Sequence, residues 1–367
     1  MLIVTCRLFS IIAFFLSFAG TFPVAGLVEA ASISNASPSY YLTAVASSDG
    51  KKLIGVGERG IITLSEDGGS TWHIAENAGQ DTLTDVVFTD ADKVWVVGHA
   101  GTLLSSVDAG GSWKTVLQGS KVSELALAEA QRIKDTAVSD EQHQLAANLQ
   151  ANAQRMIESG SSEPLFSLLF TDELHGYAVG AYGVVLRTDD GGHTWKAWLG
   201  HVDNPQKLHI YAIAQAQGGI YLVGEQGFIA RSTNDGDHFS RLETDFSGSF
   251  FTIAAAADKS LYVAGLEGVV IRSTDNGSTW AAVEVATKQS WVASEAMPDG
   301  SVILANANGG FFRSVTGHKF STLSVSQDDG LCGFKTLSNG TVITAGPRGI
   351  STKSLNLSGS ASTEVNQ

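Results

Sequence analysis

Cysteine is nearly missing from this chain: Cys6 and Cys332 are the only two in 367 residues. Proline is scarce too, six residues against forty glycines, so the backbone turns often and does so with glycine. Cations are outnumbered, 23 Lys and Arg against 37 Asp and Glu, and the net charge of −14 argues against nucleic acid as a partner. The nine histidines show no H-E-x-x-H or similar metal spacing. Neither a serine nucleophile elbow nor a phosphate loop is present. No metal and no cofactor are therefore expected. What remains is 43% apolar, enough for a large core.

The first thirty residues stand apart. Arg7 precedes the apolar run "LFSIIAFFLSF", followed by Gly20, Pro23 and the small residues Val28 and Ala30. This is the pattern of a secretory leader, residues 1–30, cut near Ala30. The alternative is an uncleaved anchor, because Leu8 to Val28 is almost long enough to span a bilayer. The glycines and proline in its second half favour cleavage. Losing Arg7 and Glu29 leaves the mature charge at −14. Cys6 leaves with the leader, so Cys332 is expected alone, with no intramolecular disulfide. Cys6 also precedes the apolar run, too early for a lipoprotein acceptor. Beyond the leader no further spanning segment is found.

A short segment recurs: "SEDGGSTW" (65–72), "SVDAGGSW" (106–113), "TDDGGHTW" (188–195), "STNDGDHF" (232–239) and "STDNGSTW" (273–280), with a worn copy ending at Phe320. Ser65 and Asp67 can bond nearby N–H groups, Gly69 permits positive φ, and Trp72 supplies an apolar anchor. Asp108 and Trp113, Asp190 and Trp195, Asn234 and Phe239, and Asp275 and Trp280 hold the same offices in the other copies. Five copies of an active site have no use in one chain, so the segment is a structural clasp.

Upstream of each clasp lie an apolar strand, a polar turn, a second strand and a glycine at 60, 101, 183, 227, 268, 309 or 349. The G-x-x-G spacing predicts a two-residue hairpin. A third strand runs into the clasp and a fourth leaves it. First strands beginning near 42, 83, 166, 210, 250, 291 and 331 make seven such units. Four short antiparallel strands in each ~40-residue unit predict an all-β, seven-bladed β-propeller over 33–357. The seventh unit lacks a fourth strand, which residues 33–41 are expected to supply; 358–367 form a disordered tail. The gap between Trp113 and Trp195 is doubled, but residues 121–161 contain one glycine, near the end, and are rich in Ala, Leu, Glu and Gln. They predict an inserted αα-hairpin. Ser139 and Gln142 form a capping box for its second helix, with Leu145, Leu149 and Met156 on one face. Because its ends lie between complete blades, the insert is expected to be dispensable for the fold.

The residue four past each hairpin glycine reads Leu64, Ser105, Arg187, Arg231, Arg272, Arg313 and Lys353. Rotational repetition would set the last five on an arc, where guanidinium forks suit carboxylates or phosphates of a partner. The competing reading is local pairing with acids of neighbouring clasps. A glycosidase needs axial arginines or a carboxylate pair, whereas the first strands carry only Asp85, Glu295 and Lys335 as charges. The hairpin pairs on the other face, Ala181/Tyr182 among them, read as ordinary solvated turns.

The clasp pattern is the Asp-box of sialidases and related propellers. With G-x-x-G hairpins and arginines leading into "TDDGG" and "STDNG", the chain resembles the photosystem II stability/assembly factor family over about residues 40–355. That resemblance implies a non-enzymatic factor in the periplasm or a thylakoid lumen; the chain is expected to be monomeric and peripheral to the membrane at most. The resemblance also implies a membrane protein complex or its precursor subunit as partner, held through Arg187, Arg231, Arg272 and Arg313. A sialidase-like or carbohydrate-binding propeller is the alternative.

Overall fold

The computed structural model describes residues 41–46, 49–75, 79–159, 163–324 and 330–355. The leader, the tail and, apart from Tyr41, the closing segment 33–41 lie outside the described residues. Alternating apolar residues between glycine turns produce seven antiparallel sheets. Blade one holds β1 (Tyr41–Ala46), β2 (Leu53–Gly57), β3 (Ile62–Ser65) and β4 (His73–Ile74); blade two holds β5 (Leu83–Phe88), β6 (Val94–Gly98), β7 (Leu103–Ser106) and β8 (Lys114–Leu117). Helices α1 (Lys121–Thr136) and α2 (Asp140–Ser159) follow. Blade three is β9 (Leu165–Phe170), β10 (Gly176–Gly180), β11 (Val185–Thr188) and β12 (Lys196–Ala197). Blade four is β13 (Ile210–Ala216), β14 (Gly219–Gly224), β15 (Ile229–Ser232) and β16 (Ser240–Leu242). Blade five is β17 (Phe250–Ala255), β18 (Leu261–Gly265), β19 (Val270–Ser273) and β20 (Ala281–Ala282).

Blade six gains a strand that the sequence pattern does not announce. β21 (Glu284–Val285) lies parallel to β25 (Lys319–Ser324), outside β22 (Trp291–Ala296), β23 (Val302–Asn306) and β24 (Phe311–Ser314). Blade seven has three strands among the described residues: β26 (Gly333–Thr336), β27 (Thr341–Gly346) and β28 (Gly349–Ser354). First strands touch in succession around the axis, and β26 reaches β1, so the architecture is a seven-bladed propeller. Leu53 of blade one packs with Leu337, Ile343 and Ala345 of blade seven across the join.

Two local expectations change. In blades one to six the hairpin loops hold three residues, not two, as where Gly57 N–H donates to Ile61 O at 3.0 Å and Ile61 N–H to Glu58 O at 3.2 Å, while blade seven keeps the two-residue loop between the paired Gly346 and Gly349. Both Arg59 and Gly60 then take positive φ, 55° and 66°. The second change concerns Cys332, which is disulfide-bonded. The lone-thiol expectation rested on removing Cys6, the chain's one other cysteine, which lies outside the described residues.

The insert is less separable than its ends imply. Val122, Ala126, Ala153 and Met156 share one buried cluster with Val97, Leu103 and Leu117 of blade two and Leu165, Val184 and Ala197 of blade three. A Cβ at Gly101 would lie 2.7 Å from Val122 Cγ2, so hairpin and helix meet closely. Ser139 Oγ accepts from Gln142 N–H at 3.3 Å, while the Gln142 side chain reaches back to Val138 N–H rather than to Ser139. Ala146 is buried where Leu145, 37% exposed, was expected. These buried faces, and not the loop ends alone, bear on whether the insert can be removed.

Candidate functional site

Each clasp starts with a hydroxyl turned inward. Ser65 Oγ accepts from Gly69 N–H at 2.9 Å and donates to Asp67 Oδ1 at 2.8 Å. Asp67 then accepts from the N–H and Oγ1–H of Thr71. Those bonds hold its carboxyl at about 2, and equivalent bonds lower Asp108, Asp190 and Asp275 to about 2 as well. In blade four, Asn234 accepts from Ser232 Oγ and His238 N–H in the same positions. The bonds of these groups are spent on holding the turn. The aromatic anchors reach the preceding blade: Trp72 packs with blade seven, Trp113 with blade one, Trp195 with blade two and Trp280 with blade four. Phe239 and Phe320 are fully buried. Gly192, at φ 86°, must be glycine because a Cβ there would lie 2.2 Å from the Trp95 ring.

The arginine positions fall where the clasp of one blade meets the third strand of its predecessor. Arg187 is 8% exposed and pairs with Asp189 at 2.6 Å and with Asp237, in the next clasp, at 2.8 Å. Burial works against its charge, but the bonds to Asp237 and Asp189 outweigh it and raise the guanidinium pKa. Arg231 donates to Asn276 O in the next clasp at 2.6 Å and forms no ion pair among the described residues. Arg272 bonds Asp258 at 3.0 Å and Ser260 Oγ at 2.6 Å. Arg313 bonds Asp299 and, at 2.9 Å, Ser301 Oγ. Lys353 lies on β28, half-buried. Three of the four arginines are thus already engaged by carboxylates.

A tyrosine stands opposite the arginine in three blades: Tyr177 with Arg187, Tyr221 with Arg231, Tyr262 with Arg272. Tyr177 Oη donates to Asp235 O at 2.7 Å and Tyr221 Oη to Asn276 O at 3.0 Å, both in the following clasp. Arg187 and Arg272 also lie over the facing rings, at 5.7 and 5.6 Å. The signal was available in "GYAVG", "IYLVG" and "LYVAG", where the tyrosine recurs at one register position.

At the axis, the charged residues of the first strands hold blades together. Asp85 Oδ2 accepts from Ser167 Oγ at 3.0 Å and Leu168 N–H at 2.9 Å. Glu295 binds Lys335 Nζ at 2.6 Å and Thr336 N–H at 2.8 Å. On the hairpin face, Tyr182 is 49% exposed at φ 52°. Its N–H donates to His209 Nδ1 at 2.8 Å, and burial lowers the pKa of that imidazole against the pull of Glu225. Among the described residues, no group of three or more His, Cys, Asp or Glu is placed to hold a metal. No described helix is long and apolar enough to cross a membrane.

Residues 146–322 match the family described as "Photosynthesis system II assembly factor YCF48". "Photosystem II assembly lipoprotein Ycf48" of Synechococcus sp. (strain CC9902) is 30% identical over 94 residues, 25% of this chain and 28% of that protein. The stretch in common is therefore well under a third of that relative. "YCF48 from Cyanidioschyzon merolae" superposes with a TM-score of 0.62 at 17% identity, covering 89% of this chain and 98% of that one. "YCF48 bound to D1 peptide" does so at 0.61 and 15%, covering 90% and 98%. A streptogramin B lyase reaches 0.65 at 13%, covering 89% and 97%. At such identities these superpositions establish the fold. The chain is thus a propeller similar to photosystem II assembly factors, with the family match lying on blades three to six.

Proposed function

We propose that this protein is an exported, non-catalytic assembly factor that holds a membrane protein subunit or its precursor while a larger complex is built. The observation carrying this reading is where the family match falls. Residues 146–322 include the four blades that bear Arg187, Arg231, Arg272 and Arg313. The relative solved with a D1 peptide suggests the class of client, a segment of a photosystem II subunit. A client carboxylate arriving at Arg187, Arg272 or Arg313 would compete with the acids already there. Arg231 is the open point of the arc, because its bond to Asn276 goes to a backbone carbonyl and leaves guanidinium N–H groups for a bidentate contact. A non-catalytic role also fits the axis, where Asp85 and Glu295 are spent on contacts between blades.

Titrating the purified full chain with a D1 peptide tests this reading. Binding should weaken as salt rises, since exposed charges are screened beyond about 8 Å at physiological ionic strength. Arg231→Glu should weaken it further while leaving the melting temperature near that of the parent. Equal binding by parent and variant would remove the arc. Failure to capture either the peptide or any photosystem subunit from solubilised membranes would remove the client class.

A further inference from the structure

The link from blade three to blade four is longer than the next one. Ile210, which opens β13, stands fourteen residues after Lys196, the partner of Arg187; Phe250 stands ten after Ser240, the partner of Arg231. The extra length forms a turn at the hairpin face. Lys207 N–H donates to Asn204 O at 3.0 Å, with Pro205 and Gln206 exposed at the tip. A Cβ at Gly200 would lie 2.6 Å from Ile133 Cδ1 and 3.3 Å from Leu149 Cδ1, so the link leans on both helices of the insert. A Cβ at Gly183 would lie 2.7 Å from Asn204 Nδ2, so the turn also abuts the hairpin that carries Tyr182. Insert and long link, the two elaborations of the ring, thus meet beside blade three.

Their meeting gathers cations. Arg155 of α2, Lys207 of the turn and Arg241 of β16 enter no ion pair among the described residues. Arg155 Nε donates to Ala151 O of its own helix at 3.2 Å, and Arg241 to Gln206 Oε1 at 3.4 Å. Burial and the charge of Arg155 both lower the pKa of the Lys207 ammonium, so two like charges stand close. Arg187, Arg272 and Arg313 each meet a carboxylate of the chain. At this corner the anion must come from outside. Tyr182, 49% exposed, stands beside the cations, its N–H held by His209.

We propose that this corner of the hairpin face, with Arg155, Lys207, Arg241 and Tyr182, docks the protein onto an anionic phospholipid surface. Unpaired Lys and Arg are drawn to anionic headgroups, and a half-exposed tyrosine ring rests at headgroup depth with its hydroxyl in water. Cations carried on three separate elements around a projecting turn suit a flat array of headgroups better than a single peptide chain. The clasp aspartates lie on the opposite face, and screening beyond about 8 Å keeps them from cancelling the attraction. The arc lies on that opposite face too, so this docking stands independently of the client reading.

Vesicles of phosphatidylglycerol, with phosphatidylcholine as the neutral control, test the proposal on the full chain. The apolar leader can insert by itself, so contact is read at the residue. Acetylation of Lys207, mapped by mass spectrometry, should fall about fivefold or more on phosphatidylglycerol vesicles, one cation's share of such attraction. It should not fall on phosphatidylcholine, and Lys259, in the β17–β18 turn on the opposite face, should be unaffected by either. Arg155→Glu should keep or raise the melting temperature, because it gives Lys207 a carboxylate, and should abolish the protection. Equal labelling of Lys207 with and without vesicles overturns the proposal, as does equal protection by both lipids or protection that survives Arg155→Glu. Protection by soluble glycerol phosphate alone would make the corner a free-anion site, and protection only by an acidic photosystem peptide would give it to a protein partner; either result overturns the lipid surface.

Discussion

One aspartate does the same work in four clasps, and the fifth clasp uses asparagine. The four carboxyls sit near 2 in the fold against an ordinary 3.8. A depressed carboxyl adds stability that is present above its unfolded value and lost as pH falls through the folded one. Acid unfolding is therefore expected between about pH 4 and about pH 2, followed by circular dichroism. Asp275→Asn should reduce the loss across that window, and an unchanged acid transition would assign it to other groups. Glu163 behaves oppositely: burial lifts it to about 7. Its stabilising protonated form is complete below the unfolded value and fades as pH climbs through the folded one. Glu163→Gln should then flatten the fall in melting temperature between about pH 5 and about pH 8. Phe239, fully buried, should cost about 3–5 kcal/mol on truncation to Ala, measured by denaturant unfolding. Clasp geometry was legible because its hydroxyl, carboxylate and glycine bond within eight residues. The tyrosines opposite the arginines were not, since their hydroxyls bond across 58 and 55 residues of sequence.

Helices α1 and α2 show what a local pattern leaves out. Their existence follows from a stretch nearly free of glycine and rich in helix formers. Their attachment does not, because no periodicity says which sheet receives the buried face. Here Val122 and Met156 enter the cluster that also holds Leu117, Leu165 and Val184. Glu129, buried on α1, binds Arg132 and also touches His201 of blade three at 3.3 Å. Replacing 121–161 with a Gly/Ser linker is thus expected to lower the melting temperature markedly, by uncovering blades two and three. Met156→Ala alone should cost about 2–5 kcal/mol in denaturant titration. A linker variant as stable as the parent would show that the cluster closes over without the helices. The parallel strand β21 was equally hidden: only the fold brings Val285 beside Phe320.

The ring as a whole was readable from its period, since seven similar units of about forty residues have few ways to bury their faces except around an axis. How the ring shuts was not, because blade seven has no clasp and no aromatic anchor to mark its last strand. The join has a kinetic consequence. Thr352 Oγ1 reaches Gly69 O across 283 residues of sequence, and Leu53 packs on Ile343 there, so the contacts that shut the ring are among the most distant in the chain. Blades two to six are built from neighbours and can form as each segment becomes free. The join must wait for the last residues to be made and released, and distant contacts form slowly. Refolding should therefore show early strand formation by circular dichroism and a later change in the fluorescence of Trp72, which stands at the join. A protein that reaches its compartment as an unfolded thread would arrive with its two ends apart, its middle blades forming first and its circle completed last.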